Sequence, residues 1–349
     1  MTSKLTQLFT KLHAHSRPLG ELTNAQIYPG LHAPLDAAFI VDKATRDRMA
    51  IFDPTCARLM RRMLRANDIE PWSHEEASTY VITLPPGWIA ATFGTGLSEE
   101  QAWAQFANRH PALTKHLLPW AAQARSEQHG DYWWELSPQP ALAALDQPKI
   151  IWPLRSSAPR FAMAAAHEWL DERCCFTPFD APPLLGMLNS RALWFAATHG
   201  QHDDQELSPD VVMRLPIPDA PDDAFDAIGA LAQQISVEAD ARHAIQRIVR
   251  RRVLADFGPP GSRLSQPLIY WWTLDFAGLL AEVNRTLGND IPFRYRDEWR
   301  AWFEQQRAAH KGHTAAMARL GAELNERVYA LFGLVTEEIA LIEGQAGEV

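Results

Sequence analysis

The feature that most constrains the fold is one long amphipathic stretch, residues 222–257, followed by an abrupt stop. Apolar residues recur along it at close to heptad spacing: Phe225, Ile228, Ala232, Ile235, Ala239, Ile245 and Ile248. Asp222 and Asp223 open the stretch, and the helix dipole favours acids there and bases such as Arg250, Arg251 and Arg252 near the end. Gly258-Pro259-Pro260-Gly261 cannot continue a helix. The pattern predicts a single helix roughly 54 Å long, at about 1.5 Å per residue.

The sequence changes character at this helix. Before it, strand-like runs such as AAFIVD, TYVITL and CCFTPF alternate with helical stretches such as 99–108, HPALTKHLLPWAAQAR and PLLGMLNSRALWFAA. After it, a stripe of His313, Met317, Leu320, Leu324, Val328 and Leu331 predicts another long helix, with Gly333 as its stop. The fold class is therefore α+β: a linker helix within 1–19, a mixed α/β domain at 20–220, and a mostly helical part at 221–349.

Composition excludes several classes of protein. An apolar content of 47% with 10% aromatic residues indicates a globular chain. Three cysteines without a C-x-x-C spacing favour neither a disulfide framework nor a zinc site. Lys4 and Lys11 interrupt the N-terminal helix, so it does not read as a signal peptide, and no apolar run reaches membrane-spanning length. We expect a cytoplasmic protein with no membrane partner.

The acidic residues are concentrated in one part of the chain. The window 203–240 holds ten acids and a single base, Arg214, and it accounts for the whole formal net charge of -9. The rest of the chain is balanced, so a local basic surface could still attract a polyanion.

One segment, DPTCARLMRRMLRAND, concentrates arginines without interleaved acids. Read as a helix, it places Arg58, Arg61, Arg62 and Arg65 at i, i+3, i+4 and i+7 on one face. Such a stripe suits phosphate contacts. The alternatives are a solvated face, or arginines paired with the acidic window.

A proline-bracketed segment, PKIIWPLRSSAPRFAMA, suggests a second group. Pro148 and Pro153 enclose a very short strand, and the loop after it follows directly. Lys149, Arg155 and Arg160 with Trp152 could reach base edges, because arginine pairs bidentately with guanine and aromatic rings can wedge between bases. The alternative is that the tryptophans, including Trp133 and Trp134, are core and the cations only its rim.

Signals for catalysis are weak. Phe93-Gly94-Thr95-Gly96 reads as a turn rather than a nucleotide loop, because no parallel-sheet unit surrounds it. The pairs His199/His202 and His310/His313 have ligand-like spacing but lack further ligands, and Cys174-Cys175 reads as a buried strand. No Ser-His-Asp arrangement follows from spacing. We therefore predict no catalytic residue, no metal and no cofactor in this chain.

Several segments, in order along the chain, resemble a known family. They are AFIVD (38–42), LRANDIEPW (64–72), HPALTKHLLPW (110–120), GDYWWEL (130–136), PKIIWP (148–153), PRFA (159–162), LLGMLNS (184–190), LPIP (215–218), WWTLDF (271–276), RDEW (296–299) and LNERVYALFGLVTEEIALIE (324–343). Together they resemble the C-terminal target-recognising part of type IIG restriction-modification enzymes, the TaqI-like specificity region of adenine-specific DNA methyltransferases. Ala66 and Asn67 stand where that family has a glycine and a basic residue.

The resemblance implies sequence-specific recognition of double-stranded DNA. In the family, a methyltransferase domain with a site for S-adenosylmethionine and an Asn-Pro-Pro-Tyr motif precedes this region. This chain has no Asn-Pro-Pro-aromatic motif. The expectation is thus a specificity component of a restriction-modification system, with S-adenosylmethionine and catalysis on a separate methyltransferase subunit. Residues 20–220 would read the DNA, and the helical region would dock that subunit or a second copy.

Two other interpretations remain open. The chain could be a truncated, non-catalytic remnant of a type IIG enzyme. It could also be a protein-binding scaffold that has kept the fold but lost DNA binding, in which case reversing Arg61 and Arg62 to glutamate would leave its activity unchanged.

Overall fold

The long helix forms where the sequence predicts it. In a computed structural model, which describes residues 2–33, 35–126, 131–199 and 206–346, it spans Asp222–Phe257. Its N-cap is Pro221, and the two aspartates lie in the first turn without a side-chain capping bond. The predicted seam is only partly right. Ile228, Ala232, Ile235 and Ala239 are buried, but Ile248 is exposed and the buried face continues through His243, Gln246 and Val249.

The class is α+β, as predicted. The helices are α1 (Thr2–Ala14), α2 (Leu19–Leu22), α3 (Asp36–Phe39), α4 (Lys43–Phe52), α5 (Trp88–Phe93), α6 (Glu99–Arg109), α7 (Pro111–Leu117), α8 (Ala121–Ser126), α9 (Leu142–Leu145), α10 (Pro182–Leu188), α11 (Arg191–Thr198), α12 (Pro209–Met213), α13 (Asp222–Phe257), α14 (Gln266–Ile269), α15 (Phe276–Leu287), α16 (Arg296–Leu331) and α17 (Thr336–Ala346). Short 3-10 helices occupy Pro54–Leu59, Ala66–Asp68, Leu118–Trp120, Trp271–Thr273 and Phe293–Tyr295.

The strands form small sheets. They are β1 (Ser16–Pro18), β2 (Tyr28–Pro29), β3 (Ile40–Asp42), β4 (Met60–Leu64), β5 (Ile69–Glu70), β6 (Ser73–His74), β7 (Thr79–Ile82), β8 (Lys149–Pro153), β9 (Ala162–Ala164), β10 (Glu168–Leu170), β11 (Cys174–Thr177) and β12 (Pro216–Pro218). Sheet I has the order β10-β4-β7-β3, with β10 and β4 parallel, and sheet II is antiparallel with the order β2-β11-β8-β9. β5 and β6 form a hairpin, and β1 pairs with β12.

Three clusters of buried apolar residues hold these elements together. The first core draws on residues 31–176 and includes both faces of sheet I, with Trp133 and Trp134 inside it. The second joins α1, β8, α10 and α11 to the first half of α13 and the end of α16, so it includes residues on both sides of position 220. The third core, residues 249–303, lies at the far end of α13.

Two glycines allow α10 to pack closely on α13. A Cβ at Gly186 would lie 2.6 Å from Cγ2 of Ile228, and a Cβ at Gly229 would lie 2.9 Å from Cγ of Pro183. Both neighbours are stiff, one being a β-branched methyl group and the other a proline ring. The two helices can therefore pack this closely only because neither glycine carries a side chain.

Some local predictions were wrong in detail. AAFIVD is not one strand, because Asp36–Phe39 form a helical turn and only Ile40–Asp42 are extended. PLLGMLNSRALWFAA is two helices, since the hydroxyl of Ser190 caps α11 by accepting from the Leu193 amide. The preceding Asn189 bonds both backbone groups of Phe161 and so fixes the local chain path. Gly333 follows α16 with a φ of 59°, as expected for a C-terminal stop.

Within the part of the chain that the structure describes, no helix is both long enough and apolar enough to cross a membrane.

Candidate nucleic-acid interface

The arginine segment is not a helix, which corrects the basis of the first predicted site. Residues Pro54–Leu59 form a 3-10 helix, and Met60–Leu64 form β4 in the middle of sheet I. Arg61 pairs with Val81 of β7, and Arg62 pairs with Tyr80. The apolar Met60, Met63 and Leu64 are buried, so strand pairing satisfies the backbone while these residues enter the core. The four arginines therefore do not share one helical face.

Two of the predicted arginines meet a third that the sequence analysis did not select. Arg61 and Arg62 border an open cleft of about 340 Å³ together with Arg46 of α4. The remaining lining residues are Met60, Tyr80, Asp146, Ala166 and His167. The guanidinium of Arg46 lies over the Tyr80 ring, 5.3 Å from its centroid. We call this set the arginine cleft.

Each arginine of the cleft has a nearby carboxylate. Arg61 Nε lies 3.6 Å from Asp146, Arg62 lies 3.4 Å from Glu76, and Arg46 bonds Asp47 at 2.9 Å. None of these acids belongs to the acidic window at 203–240. The pairs involving Arg61 and Arg62 have side chains that are 33% to 54% exposed. Pairs of this kind contribute only about 0–1 kcal/mol each, so exchange of the carboxylate for a phosphate costs little.

Arg58 and Arg65 lie outside the lining of the cleft. Both are exposed, and the backbone carbonyl of Arg58 accepts a hydrogen bond from Arg61. The main-chain N–H of Arg65 donates to Asp68, which closes the 3-10 turn before β5. These two residues could only extend a phosphate-binding surface from the ends of β4.

Lys149 and Trp152 are buried, which corrects half of the predicted base-reading group. Lys149 is 0% exposed, and its ammonium donates to the carbonyls of Ala165 and Glu168 at 3.0 and 2.9 Å. Burial lowers the pKa of Lys149 to about 8. Trp152 is also 0% exposed, and its indole N–H donates to Leu207. Neither side chain can meet a DNA base from these positions.

The two arginines of the same group differ from each other. Arg160 supports the fold, because its guanidinium donates to the carbonyls of Ile69 and Ala66 and so holds the turn after β4. Arg155 has a side chain that is 65% exposed and lies 3.8 Å from Glu206, an acid of the 203–240 window. Of the four predicted base readers, Arg155 is thus the one whose charged end lies at the surface.

A polar joint connects the arginine cleft to the long helix. Glu76 lies between Arg62 of β4 and Arg247 of α13, at 3.4 and 3.5 Å. Next to it, Glu168 bonds His74. Although burial raises the pKa of Glu168, the hydrogen bond and the charge of His74 outweigh it and lower that pKa to about 2.

The same joint contains a buried serine and histidine. The Ser73 hydroxyl donates to Asp240 at 2.5 Å and lies 3.1 Å from Nδ1 of His243, whose Nε2 lies 2.8 Å from Glu70. Ser73 and His243 are only 3% and 4% exposed. The grouping resembles a catalytic triad in composition, but the serine is covered and its proton is directed to a carboxylate. We therefore assign these residues to docking α13 against the β5–β6 hairpin.

The cysteine and histidine pairs noted in the sequence lie in different parts of the fold. Among the described residues, no three His, Cys, Asp or Glu side chains are grouped as a metal site would require. Cys174 and Cys175 lie in the buried strand β11, as predicted, and burial raises the pKa of Cys175 to about 12. His199 packs on Phe195 and Phe9, and His202 lies outside the described residues, as do Asp203 and Asp204.

Sequence reasoning missed Arg46, Asp146, Tyr80 and His167 as neighbours of Arg61 and Arg62. They come from α4, from the turn after α9, from β7 and from the segment before β10. The only local signal is the TYVITL strand pattern, and nothing near Asp146 marks it. The cleft is created by the pairing of β4 with β7 and β10.

Residues 221–328 match a family model described as a domain of unknown function, DUF8810. The match covers α13 and most of α16, and it does not extend to the arginine cleft. No curated protein matches the chain. Because the family model matches less than half of the chain, the family of the whole chain is not established by it.

Solved structures of restriction-modification enzymes resemble the fold. The type IIL enzyme MmeI, in complex with DNA, is 13% identical with a TM-score of 0.47, and the match covers 95% of this chain and 36% of MmeI. The type IIG endonuclease BpuSI is 12% identical with a TM-score of 0.39, and the match covers 66% of this chain and 28% of BpuSI. The chain thus spans about a third of the length of the enzymes it resembles. Its structural neighbours are type IIL and type IIG restriction-modification enzymes.

Proposed function

We propose that this chain binds double-stranded DNA and recognises a target sequence for a restriction-modification system, while a separate adenine-specific methyltransferase chain supplies catalysis and holds S-adenosylmethionine. The observation that carries the proposal is the arginine cleft. Arg46, Arg61 and Arg62 line this one opening with Tyr80, on strands and a helix of the mixed α/β part. Rigid elements suit a site that must match the spacing of phosphates.

The ion pairs of the arginine cleft would allow a phosphate to replace the carboxylates. Arg61 and Arg62 are held by half-exposed carboxylates, which keep them ordered but contribute little energy. The Nε of Arg46 is buried without a hydrogen-bond partner among the described residues, and its guanidinium is held over the Tyr80 ring. Phosphate contacts of this kind position a protein on DNA without reading its sequence.

Reading of the sequence is assigned to a different surface. Arg155 lies on the loop between β8 and β9, with its guanidinium at the surface. An arginine that contacts a guanine edge provides about 1–3 kcal/mol of discrimination. Arg155→Ala is therefore expected to relax preference at particular base pairs.

The order of the sequence segments supports the restriction-modification context. They resemble the TaqI-like specificity region along some 300 residues, whereas the Asn-Pro-Pro-aromatic motif that grips a flipped adenine in that family is missing. An enzyme that extrudes a base spends a few kcal/mol on unstacking, and a subunit that grips the surrounding duplex can supply this energy. The exposed Val237 and Ile248 of α13 lie about 20° apart around the helix and would contribute to docking the methyltransferase or a second copy.

The deciding experiment is the selection of bound duplexes from a random DNA pool by the purified chain, at low and at moderate salt, followed by sequencing. One short motif recovered at both salt concentrations would support recognition of a DNA sequence by this chain alone. Binding that has no motif and fades steeply with salt would reduce the proposal to a phosphate-binding module. Absence of binding at both would favour the scaffold or the remnant.

A matched pair of double variants tests the residues. Arg61→Gln with Arg62→Gln should weaken binding to all sequences alike and should reduce the salt slope by roughly 2, at about 0.9 per lost phosphate contact. Arg300→Gln with Arg327→Gln changes the same formal charge on α16, where both arginines already pair within their own helix. Equal losses from both double variants would contradict a role for the arginine cleft.

A further inference from the structure

A second cavity, of about 590 Å³, opens between the two long helices, α13 and α16, beside the β5–β6 hairpin. It is lined by α13 and α16, by the segment around Tyr270 and Trp272, and by Glu70 of the β5–β6 hairpin. It shares no lining residue with the arginine cleft. Its volume is within the range of small-molecule sites, about 300–1,000 Å³. We call it the helix-junction cavity.

Buried polar groups at the wall of this cavity lack partners. Gln246 and His310 are 2% and 6% exposed, and their Nε2 atoms lie 3.1 Å apart. Among the described residues, Oε1 of Gln246 and Nε of Arg242 are buried without a hydrogen bond. Exchanging the oxygen and nitrogen of the Gln246 amide would still leave one of its polar atoms unpaired. Since each such group costs about 1–3 kcal/mol, the wall is prepared for a polar ligand.

Charges around the cavity favour an anion. Arg242 lies 3.5 Å from Glu70 and Arg307 lies 3.3 Å from Glu304, so these four residues balance. Lys311 is exposed on the same rim and has no ion-pair partner among the described residues. Burial, followed by the charge of Arg242, lowers the pKa of His310 to about 4, so this imidazole is neutral at pH 7. The charged residues that line the cavity therefore carry a net charge of one positive unit, which comes from Lys311.

An aromatic side chain is available beside these polar groups. The Trp272 ring is fixed, because it stacks on His310 with centroids 4.5 Å apart. Tyr270 meets Trp272 edge-on at 5.4 Å and remains 51% exposed. A tyrosine held in place by its edge presents a free face to a planar ring.

We infer that the helix-junction cavity binds a nucleoside monophosphate. The phosphate would lie at Lys311 and Arg307, the base would stack on Tyr270, and its polar edge would meet the amide of Gln246. An amide offers both a donor and an acceptor to a base edge, which matches the mixed pattern that nucleobases display. This inference does not depend on DNA binding by the arginine cleft.

The test is calorimetric titration of the full chain with the four common nucleoside 5′-monophosphates, with the corresponding nucleosides and with inorganic phosphate. At least one nucleotide should bind, and its nucleoside and phosphate alone should each bind about tenfold or more weakly, as expected when ring and charge both contribute. Phosphate that binds as tightly as every nucleotide, or absence of binding by all four at millimolar concentration, would overturn the inference.

Variants locate the site. Lys311→Ala, Tyr270→Ala and Gln246→Leu should each weaken nucleotide binding by about fivefold or more. Arg300→Ala, also on α16 but outside the cavity, should leave it unchanged. Lys311 and Tyr270 are exposed, so their substitution preserves the fold even if Gln246→Leu does not. Unaltered nucleotide binding in both the Lys311 and Tyr270 variants would place the ligand elsewhere. The Arg61/Arg62 double variant should bind nucleotide normally, which separates this result from that on DNA.

Discussion

Replacing Asp146 with asparagine is expected to strengthen DNA binding, although it adds no new contact. In the free protein, Asp146 holds Arg61 at 3.6 Å, and the two side chains are 54% and 33% exposed. Arg61 must leave this carboxylate before it can bind a phosphate. Because such a pair contributes about 0–1 kcal/mol, its removal should improve DNA affinity by up to roughly fivefold. Asparagine keeps the Oδ1 atom that accepts a hydrogen bond from the Trp169 indole, so the fold should persist.

The assay is fluorescence anisotropy with a labelled duplex across a series of salt concentrations. Asp297→Asn is the matched control, because it removes the same charge from a carboxylate that is 96% exposed and pairs with Arg300 on α16. We expect Asp146→Asn to bind more tightly than both the wild type and this control. Equal affinities for the two variants, or weaker binding by Asp146→Asn, would refute the idea that Arg61 exchanges a carboxylate for a phosphate.

Three further predictions concern stability. The pKa of Glu168 is lowered to about 2, so this carboxylate stabilises the fold above pH 4.5 and loses that effect as the pH falls toward 2. Glu168→Gln should therefore lower the free energy of unfolding by about 2–3 kcal/mol at pH 7. It should also make the acid denaturation curve, followed by circular dichroism, less steep. His243→Ala removes the contacts with Ser73 and Glu70, so urea denaturation should show a free energy of unfolding lower by about 3 kcal/mol. A decrease of less than about 1 kcal/mol would contradict the docking role of His243. Gly186→Ala should lower stability by about 1–3 kcal/mol through the contact with Ile228, whereas Gly312→Ala, which meets nothing within 4 Å, should not destabilise the chain in the same thermal melts.

Local signals in the sequence were sufficient for the long helix. Its first turn, its apolar spacing and its Gly-Pro-Pro-Gly stop are all encoded within the segment, and the observed bounds Asp222–Phe257 agree with them. The residues that enter the core along its second half were harder to predict. His243 and Gln246 are polar, and they are buried against partners from β5, β6 and α16, although Oε1 of Gln246 has no hydrogen bond among the described residues.

The arginine segment shows why the candidate site was only partly predictable. Spacings of three and four residues look helical in isolation, yet Met60–Leu64 pair with residues 79–82 and 168–170, which lie far away along the chain. Lys149 was misjudged for a related reason. A lysine is rarely buried, and here two backbone carbonyls from residues 165 and 168 make its burial possible. Tertiary pairing, which spacing cannot reveal, decided both outcomes.

The division of the apolar residues into three cores has a consequence for synthesis of the protein. Every buried member of the first core lies between residues 31 and 176, so that core can assemble while the rest of the chain is still being translated. The second core needs Leu8 and Leu12 from the beginning and Ile342 from the end. At about 5–20 residues per second, the ribosome needs on the order of ten seconds to add the residues that separate these two events. During that interval the apolar faces of α1, α10 and α11 are not yet covered by the residues of α16 and α17 that bury them in the folded chain, and apolar surface exposed in this way favours aggregation.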